Sequence, residues 1–260
     1  MIGLAFTLEL SRKKNFKIAI IEANECNPKV SSSFHTRVSA ITPSSKDFLS
    51  SINVWDDIKR KQGFVATKVW DQNSHGSLNF YAKDEGIEHL GFIVENDLIQ
   101  SALYKAIDQT KVQVIHAKLN DLIKTDFGYQ ITLDNGQSFL CKLVVGADGP
   151  KSKVRSLGGI EVSSNDYQQK AIIANIVSDK SLESTTWQRF LSDSILALLP
   201  LSKNQASIVW SCKAKLADEL EELDINKFNQ SLSEAAEYRF GNLKLQSSRN
   251  IFPLVSRSAK

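Results

Sequence analysis

The chain has 260 residues, 42% of them hydrophobic and 23% charged, a globular composition that excludes disordered and collagen-like classes. Lys plus Arg numbers 32 against 29 for Asp plus Glu, and the resulting +3 is too small and scattered to suggest nucleic acid as a partner. Cys26, Cys141 and Cys212 stand far apart, and His35, His75, His89 and His116 are isolated, so neither a disulfide framework nor a metal site is expected.

Residues 2–10 place apolar side chains at helical spacing, and Arg12, Lys13 and Lys14 supply the cations that a helix end favours, so a helix ending near Lys14 is expected. The turn residue Asn15 leads into residues 16–22, dense in β-branched side chains and suited to a buried parallel strand ending in Glu22. Cations after the first apolar run reverse the charge order of a secretory signal, and no apolar run approaches the ~20 residues of a membrane span; a cytoplasmic location is the expectation. Pro43 behind Thr42 starts a second helix, expected to reach about Arg60.

From 64 to 94 alternation dominates and predicts antiparallel strands of a separate layer. Residues 96–108 return to helical spacing with Leu98, Ile99, Ala102, Leu103 and Ile107 on one face. Strands follow at 112–115, 119–125 and 129–133, and Asp134-Asn135-Gly136 predicts a type I′ hairpin whose return strand ends in Leu143-Val144-Val145-Gly146-Ala147-Asp148-Gly149. A short basic helix comes next, then four strands of a mostly antiparallel sheet at 170–177, 185–191, 195–201 and 206–212, and helices at 213–220 and 224–240. The order predicts a mixed α/β fold of two interleaved layers.

Two constellations stand out. Glu22 lies roughly 20 residues after Gly3, the separation at which an acid accepts ribose hydroxyls in a Rossmann-type fold; a solvated acid at a strand end is the alternative. In Val144-Val145-Gly146-Ala147-Asp148-Gly149-Pro150-Lys151-Ser152-Lys153-Val154-Arg155, a buried strand is expected to deliver Asp148 to a glycine turn, with Ser152 and cations starting the next helix.

The run Gly-Ala-Asp-Gly-x-x-Ser-x-Val-Arg resembles the second flavin motif of the FAD-dependent aromatic hydroxylases, the fold that includes para-hydroxybenzoate hydroxylase. Thr36-Arg37-Val38-Ser39-Ala40-Ile41, Gly91-Phe92-Ile93-Val94-Glu95-Asn96, Trp187-Gln188-Arg189-Phe190 with Ala197-Leu198-Leu199-Pro200-Leu201, and Val209-Trp210-Ser211 are similar to the ubiquinone-biosynthesis branch of that family, in order over essentially the whole chain. The resemblance implies a Rossmann-like FAD-binding layer, residues 1–63 and 91–160, interleaved with a substrate-binding β-sheet domain, residues 64–90 and 161–260. It implies that Gly3 packs at the first flavin turn, Glu22 holds the adenosine ribose, Arg37 lies beside the flavin phosphates or ring, and Asp148 with Gly149 meets the ribityl-pyrophosphate region. Asn96 is placed near the ribityl chain, although its position ahead of a helix suits a plain N-cap equally well. Gln188, Arg189, Phe190, Leu199 and Pro200 are placed on the sheet that covers the flavin and shapes the substrate pocket, against the alternative of plain core strand.

The implied activity is hydroxylation of a prenylated phenol or quinone precursor with NAD(P)H as co-substrate and O2, with no catalytic side chain singled out and no metal. Other ubiquinone-biosynthesis proteins are the expected protein partners, and a lipophilic substrate is compatible with peripheral contact at the inner membrane face. The chain departs from the family at Ser194-Ile195, where Gly-Pro is usual, and it lacks the first glycines of the first motif and the whole third motif, so the reading is of a fold truncated at both ends. The competing readings are a flavin-free remnant or docking subunit of a biosynthetic complex, and a hydroxylase of small soluble phenols.

Overall fold

The computed structural model describes residues 1–13, 16–24 and 31–259, so Lys14, Asn15 and Cys26 lie outside the described residues. In chain order come α1 (Ile2–Ser11), β1 (Ala19–Glu22), β2 (Val38–Ile41), α2 (Pro43–Ser51), β3 (Gln62–Phe64), β4 (Ala66–Asp71), β5 (Ser77–Tyr81), β6 (Gly91–Glu95) and α3 (Asn96–Ile107). Then follow β7 (Gln113–His116), β8 (Leu119–Thr125), β9 (Gly128–Leu133), β10 (Ser138–Cys141) and α4 (Lys153–Leu157). The last part holds β11 (Val162–Ser178), β12 (Thr185–Phe190), β13 (Ser194–Pro200), β14 (Gln205–Lys213), α5 (Ala214–Glu222), α6 (Ile225–Ala235), β15 (Leu243–Leu245) and β16 (Asn250–Ala259).

An eight-stranded sheet runs β15-β11-β14-β13-β12-β4-β5, with β16 also paired to β11. All its pairings are antiparallel except β12 with β4, which run parallel. The expected strands at 64–94 therefore divide: β4 and β5 extend the large sheet, while β6 joins β2 and β3 in a small antiparallel sheet. The period of two sends Ile172, Ala174, Ile176, Leu196, Leu198, Ile208 and Trp210 to one face, where they meet Phe228 and Leu232 of α6 and Ala217 and Leu220 of α5. A second cluster is built by α1, α2 and α3: Leu4 and Leu8 meet Leu49, Leu98, Ile99, Ala102 and Leu103, with Ile20 and Val114 of the parallel β1·β7 pair against them. Among the described residues no helix is long and apolar enough to cross a membrane.

Several sequence expectations are corrected. The first helix stops at Ser11 rather than Lys14, and β1 begins at Ala19 rather than residue 16. The helix begun at Pro43 is capped as expected, the Thr42 hydroxyl accepting from Ser45 N–H at 3.2 Å, but it ends at Ser51 because Asn53 turns to φ +59. Before Gly136, φ +83, neither Asp134 nor Asn135 has positive φ, and Gly136 N–H donates to Leu133 C=O at 3.1 Å; the hairpin is a type I turn closed by a left-handed glycine, not type I′. Residues 143–147 form no strand: among the described residues no neighbouring strand supplies a ladder there, and Leu143 and Val145 are 68% and 51% exposed. The last helix covers Ile225–Ala235, with the Asp224 carboxylate as its cap rather than within it.

Candidate functional site

Two of the expected site groups are assembled. Gly3 lies inside α1, and a Cβ built on it would stand 3.1 Å from the Ala147 Cβ, so the absence of a side chain lets α1 rest on the 146–149 turn. Gly149 adopts φ +87, with nothing among the described residues within 4 Å of where a Cβ would be, while its carbonyl accepts from Ser152 N–H at 3.1 Å. Asp148, by contrast, is already occupied. Its carboxylate accepts from the Ser152 hydroxyl and from the N–H groups of Lys153, at 2.7 Å, and Val154, at 3.2 Å, at the start of α4. Burial raises its pKa, but these hydrogen bonds outweigh burial and hold the carboxyl below its ordinary value. Glu22 ends β1 beside His116 of β7 and accepts from Asn24 N–H at 3.2 Å.

Arg37 and Asn96 are joined directly: Asn96 N–H donates to the Arg37 carbonyl at 3.0 Å. The Asn96 Oδ1 accepts from the Ser39 hydroxyl at 2.6 Å, while the N-cap position of α3 belongs to Glu95; the N-cap alternative for Asn96 is set aside. Arg37 is exposed, and its guanidinium has no hydrogen bond or ion pair among the described residues. The backbone just before it is fastened to the large sheet. Asn175 Nδ2 donates to Phe34 C=O at 2.8 Å, Ser207 Oγ to Thr36 C=O at 3.4 Å, and Asn250 Nδ2 to Thr36 Oγ1 at 3.1 Å. Arg37 therefore sits at the seam between the two layers.

The expected pocket residues separate by strand phase. Gln188 pairs with Ala197 and Val69, Ala197 with Val209, and Val209 with Ile173, a cross-strand row that is half-buried on the face away from α5 and α6. Phe190 shares the phase of Gln188 and is exposed, and Leu199 packs beside Phe34, Phe64, Ile93 and Leu201 between the layers. Arg189 and Pro200 lie in the opposite phase and are corrected. Arg189 is 6% exposed; its guanidinium donates to the carbonyls of Glu234, at 3.2 Å, and Ala235, at 2.7 Å, at the end of α6, and pairs with Glu237 at 2.6 Å. A cation there complements the helix terminus. Pro200 is buried in the same phase as Leu196 and Leu198.

Sequence reasoning missed one buried charge. Glu95 is 3% exposed at the end of β6 and accepts two hydrogen bonds from Arg60, at 2.9 and 3.0 Å. The available signal was an acid closing the apolar run Gly91-Phe92-Ile93-Val94, which demands a partner; its partner lies 35 residues away.

The family described as FAD binding domain matches residues 92–260. Ubiquinone biosynthesis monooxygenase COQ6, mitochondrial, of Homo sapiens is 34% identical over 254 residues, covering 90% of this chain and 54% of that protein. The 3-demethoxyubiquinol 3-hydroxylase of Escherichia coli is 30% identical over 265 residues, covering 100% of this chain and 67% of that protein. The chain thus spans about half the length of the human relative. Two solved structures share the fold: the tetrameric form of 2-methyl-3-hydroxypyridine-5-carboxylic acid oxygenase, TM-score 0.74 at 14% identity, covering 99% of this chain and 68% of that one, and p-nitrophenol 4-monooxygenase from Pseudomonas putida, TM-score 0.71 at 15% identity, covering 99% and 66%.

Proposed function

The chain belongs to the FAD binding domain family, and from that premise we propose that its function is that of an FAD-dependent monooxygenase hydroxylating the aromatic ring of a ubiquinone precursor with NAD(P)H and O2. The observation that carries this reading is Arg37: an exposed guanidinium without a protein partner among the described residues, held at the seam beside a half-buried apolar row.

The residues present fit FAD. Gly149 at positive φ leaves open the space a side chain would fill, Gly3 brings α1 against the same turn, and the exposed Arg37 guanidinium matches phosphate oxygens with two parallel hydrogen bonds. In this reading Arg37 binds the pyrophosphate or the ring edge and Glu22 accepts from the adenosine ribose. Asn96, its oxygen taken by Ser39, donates through Nδ2 toward the ribityl chain. Asp148 acts one step back, fixing the turn that presents Gly149. Bound FAD would supply the redox chemistry, drawing reducing equivalents from NAD(P)H and delivering one oxygen atom of O2 to the ring. Gln188, Phe190 and Leu199, with Val69, Ala197 and Val209, form a wall that excludes water and suits a lipophilic ring. Residues 1–63 and 91–160 hold the cofactor in this division, and 64–90 with 161–260 carry the substrate face; support for it is the junction of β4 and β5 to the large sheet.

The test is O2 consumption by the chain with FAD and NAD(P)H, given a prenylated phenol or a small soluble phenol. Consumption with ring hydroxylation of the prenylated substrate supports the reading. Preference for the small phenol moves the substrate to the other branch, and failure to take up FAD leaves a flavin-free docking role.

A further inference from the structure

Glu95 is the one carboxylate in the core among the described residues, at the junction of β6 and α3. Arg60 grips it with a two-point fork, Nε to Oε2 at 3.0 Å and Nη2 to Oε1 at 2.9 Å. The same guanidinium continues to the carbonyls of Ser32, at 2.9 Å, and Ser33, at 3.3 Å, and lies 5.2 Å from the centre of the Phe34 ring. Glu95 Oε1 also accepts from His35 N–H at 2.7 Å. One ion pair therefore fixes the backbone at Ser32, Ser33 and His35, directly ahead of Arg37, while the residue after Glu95 is Asn96, whose N–H holds the Arg37 carbonyl.

Phe34 packs against Phe64, Ile93 and Leu201 and bonds to Asn175, while Ser32, Ser33 and His35, on either side of Phe34, are exposed and held by the ion pair. Cavities of about 220 and 230 Å³ flank this segment, and Phe34, Arg60 and Glu95 line both. Glu95 is buried while Arg60 is 29% exposed, and desolvation of the carboxylate offsets much of the attraction, so the pair is a poor source of stability and a good source of geometry. We propose that Arg60 and Glu95 are positioning residues for the cofactor: they lock the Ser32–His35 backbone so that Arg37 and Asn96 are presented together to the flavin nucleotide. The inference rests on the FAD reading above.

Two variants test it. Arg60→Lys keeps the charge on Glu95 but cannot fork to two carbonyls as well. The double variant Arg60→Met with Glu95→Leu removes both charges, which leaves no orphaned ion and preserves folding. The expected result in both is a thermal midpoint close to the unsubstituted chain, amide exchange about tenfold faster over residues 32–37, and FAD binding weaker by about tenfold or more. Exchange is read without flavin, so it reports the segment itself. Unchanged FAD affinity in the double variant, or unchanged exchange over residues 32–37, overturns the inference. If the unsubstituted chain takes up no FAD, the cofactor reading fails first; if it does and both variants match it, only the positioning role fails.

Discussion

The large sheet and the layer built on α1, β1 and β7 use apolar residues differently. In the sheet, the inner faces of β11, β13 and β14 and the apolar stripes of α5 and α6 close over Ile172, Leu196, Ile208 and Phe228, all fully buried. In the other layer a two-stranded parallel pair is backed by α1 and α3, and Ile2, Phe6, Leu143 and Val145 remain exposed. Every residue proposed to meet the nucleotide belongs to the second kind of region or to the seam, held by hydrogen bonds and glycine contacts rather than by deep packing. In the proposed reading the first region supplies stability and an apolar wall, and the second supplies recognition.

The largest expected break in that comparison is Phe228→Ala. Truncating a fully buried aromatic ring, 6.1 Å from the Trp210 ring, should cost about 3–5 kcal/mol in urea unfolding while leaving FAD affinity per folded molecule unchanged. Arg189→Ala comes next. Stripping the end of α6 and Glu237 of their partner should cost about 1–3 kcal/mol, with no change in substrate affinity. A loss of substrate affinity at unchanged stability would return Arg189 to the pocket.

Asp148→Ala should cost about 1 kcal/mol as a lost acceptor for the first two N–H groups of α4, behind its N-cap Ser152, and weaken FAD retention through the Gly149 turn, read by flavin content after desalting. Its pH signature has a definite sign. The folded pKa lies below the ordinary 3.8, so its contribution is fully present above about that pH and disappears as the pH falls through the lower folded value. Wild type and Asp148→Ala should therefore converge in stability in acid. The smallest perturbation needs no substitution: at pH 8, Cys141, half-buried, should react with a thiol reagent well before Cys212, which is 1% exposed and whose pKa burial pushes to about 11. Equal rates would show that the large sheet opens as readily as the hairpin.

Local signals made much of this legible in the sequence. Thr42-Pro43 started α2, one apolar face defined α3, and alternation found β12 to β14 within a residue or two. What failed depended on distant partners. Leu143-Val144-Val145 has the composition of a buried strand but no ladder to join among the described residues, and β16 went unseen because its pairing with β11 lies far along the chain and most of its residues face water. The phase of Arg189 was readable from Trp187, two residues before it and on the same face, but treating Gln188-Arg189-Phe190 as one motif hid the alternation. The Gly3 to Ala147 contact and the Arg37 to Asn96 bond agree with the sequence grouping, whereas the Arg60 to Glu95 pair could be found only by tracing where a buried acid finds its cation.

In the proposed reading, recognition of FAD resides in the α1, β1 and β7 layer and its seam with the large sheet, and turns on Arg37 at that seam. Fluorescence titration of the chain with FAD, beside Arg37→Ala, tests it most directly. The account predicts saturable one-to-one uptake that weakens by about ten- to a hundredfold in the variant, as loss of a charge-assisted phosphate contact requires, with the urea midpoint unmoved. Uptake of equal affinity by both proteins, or none by either, would contradict it.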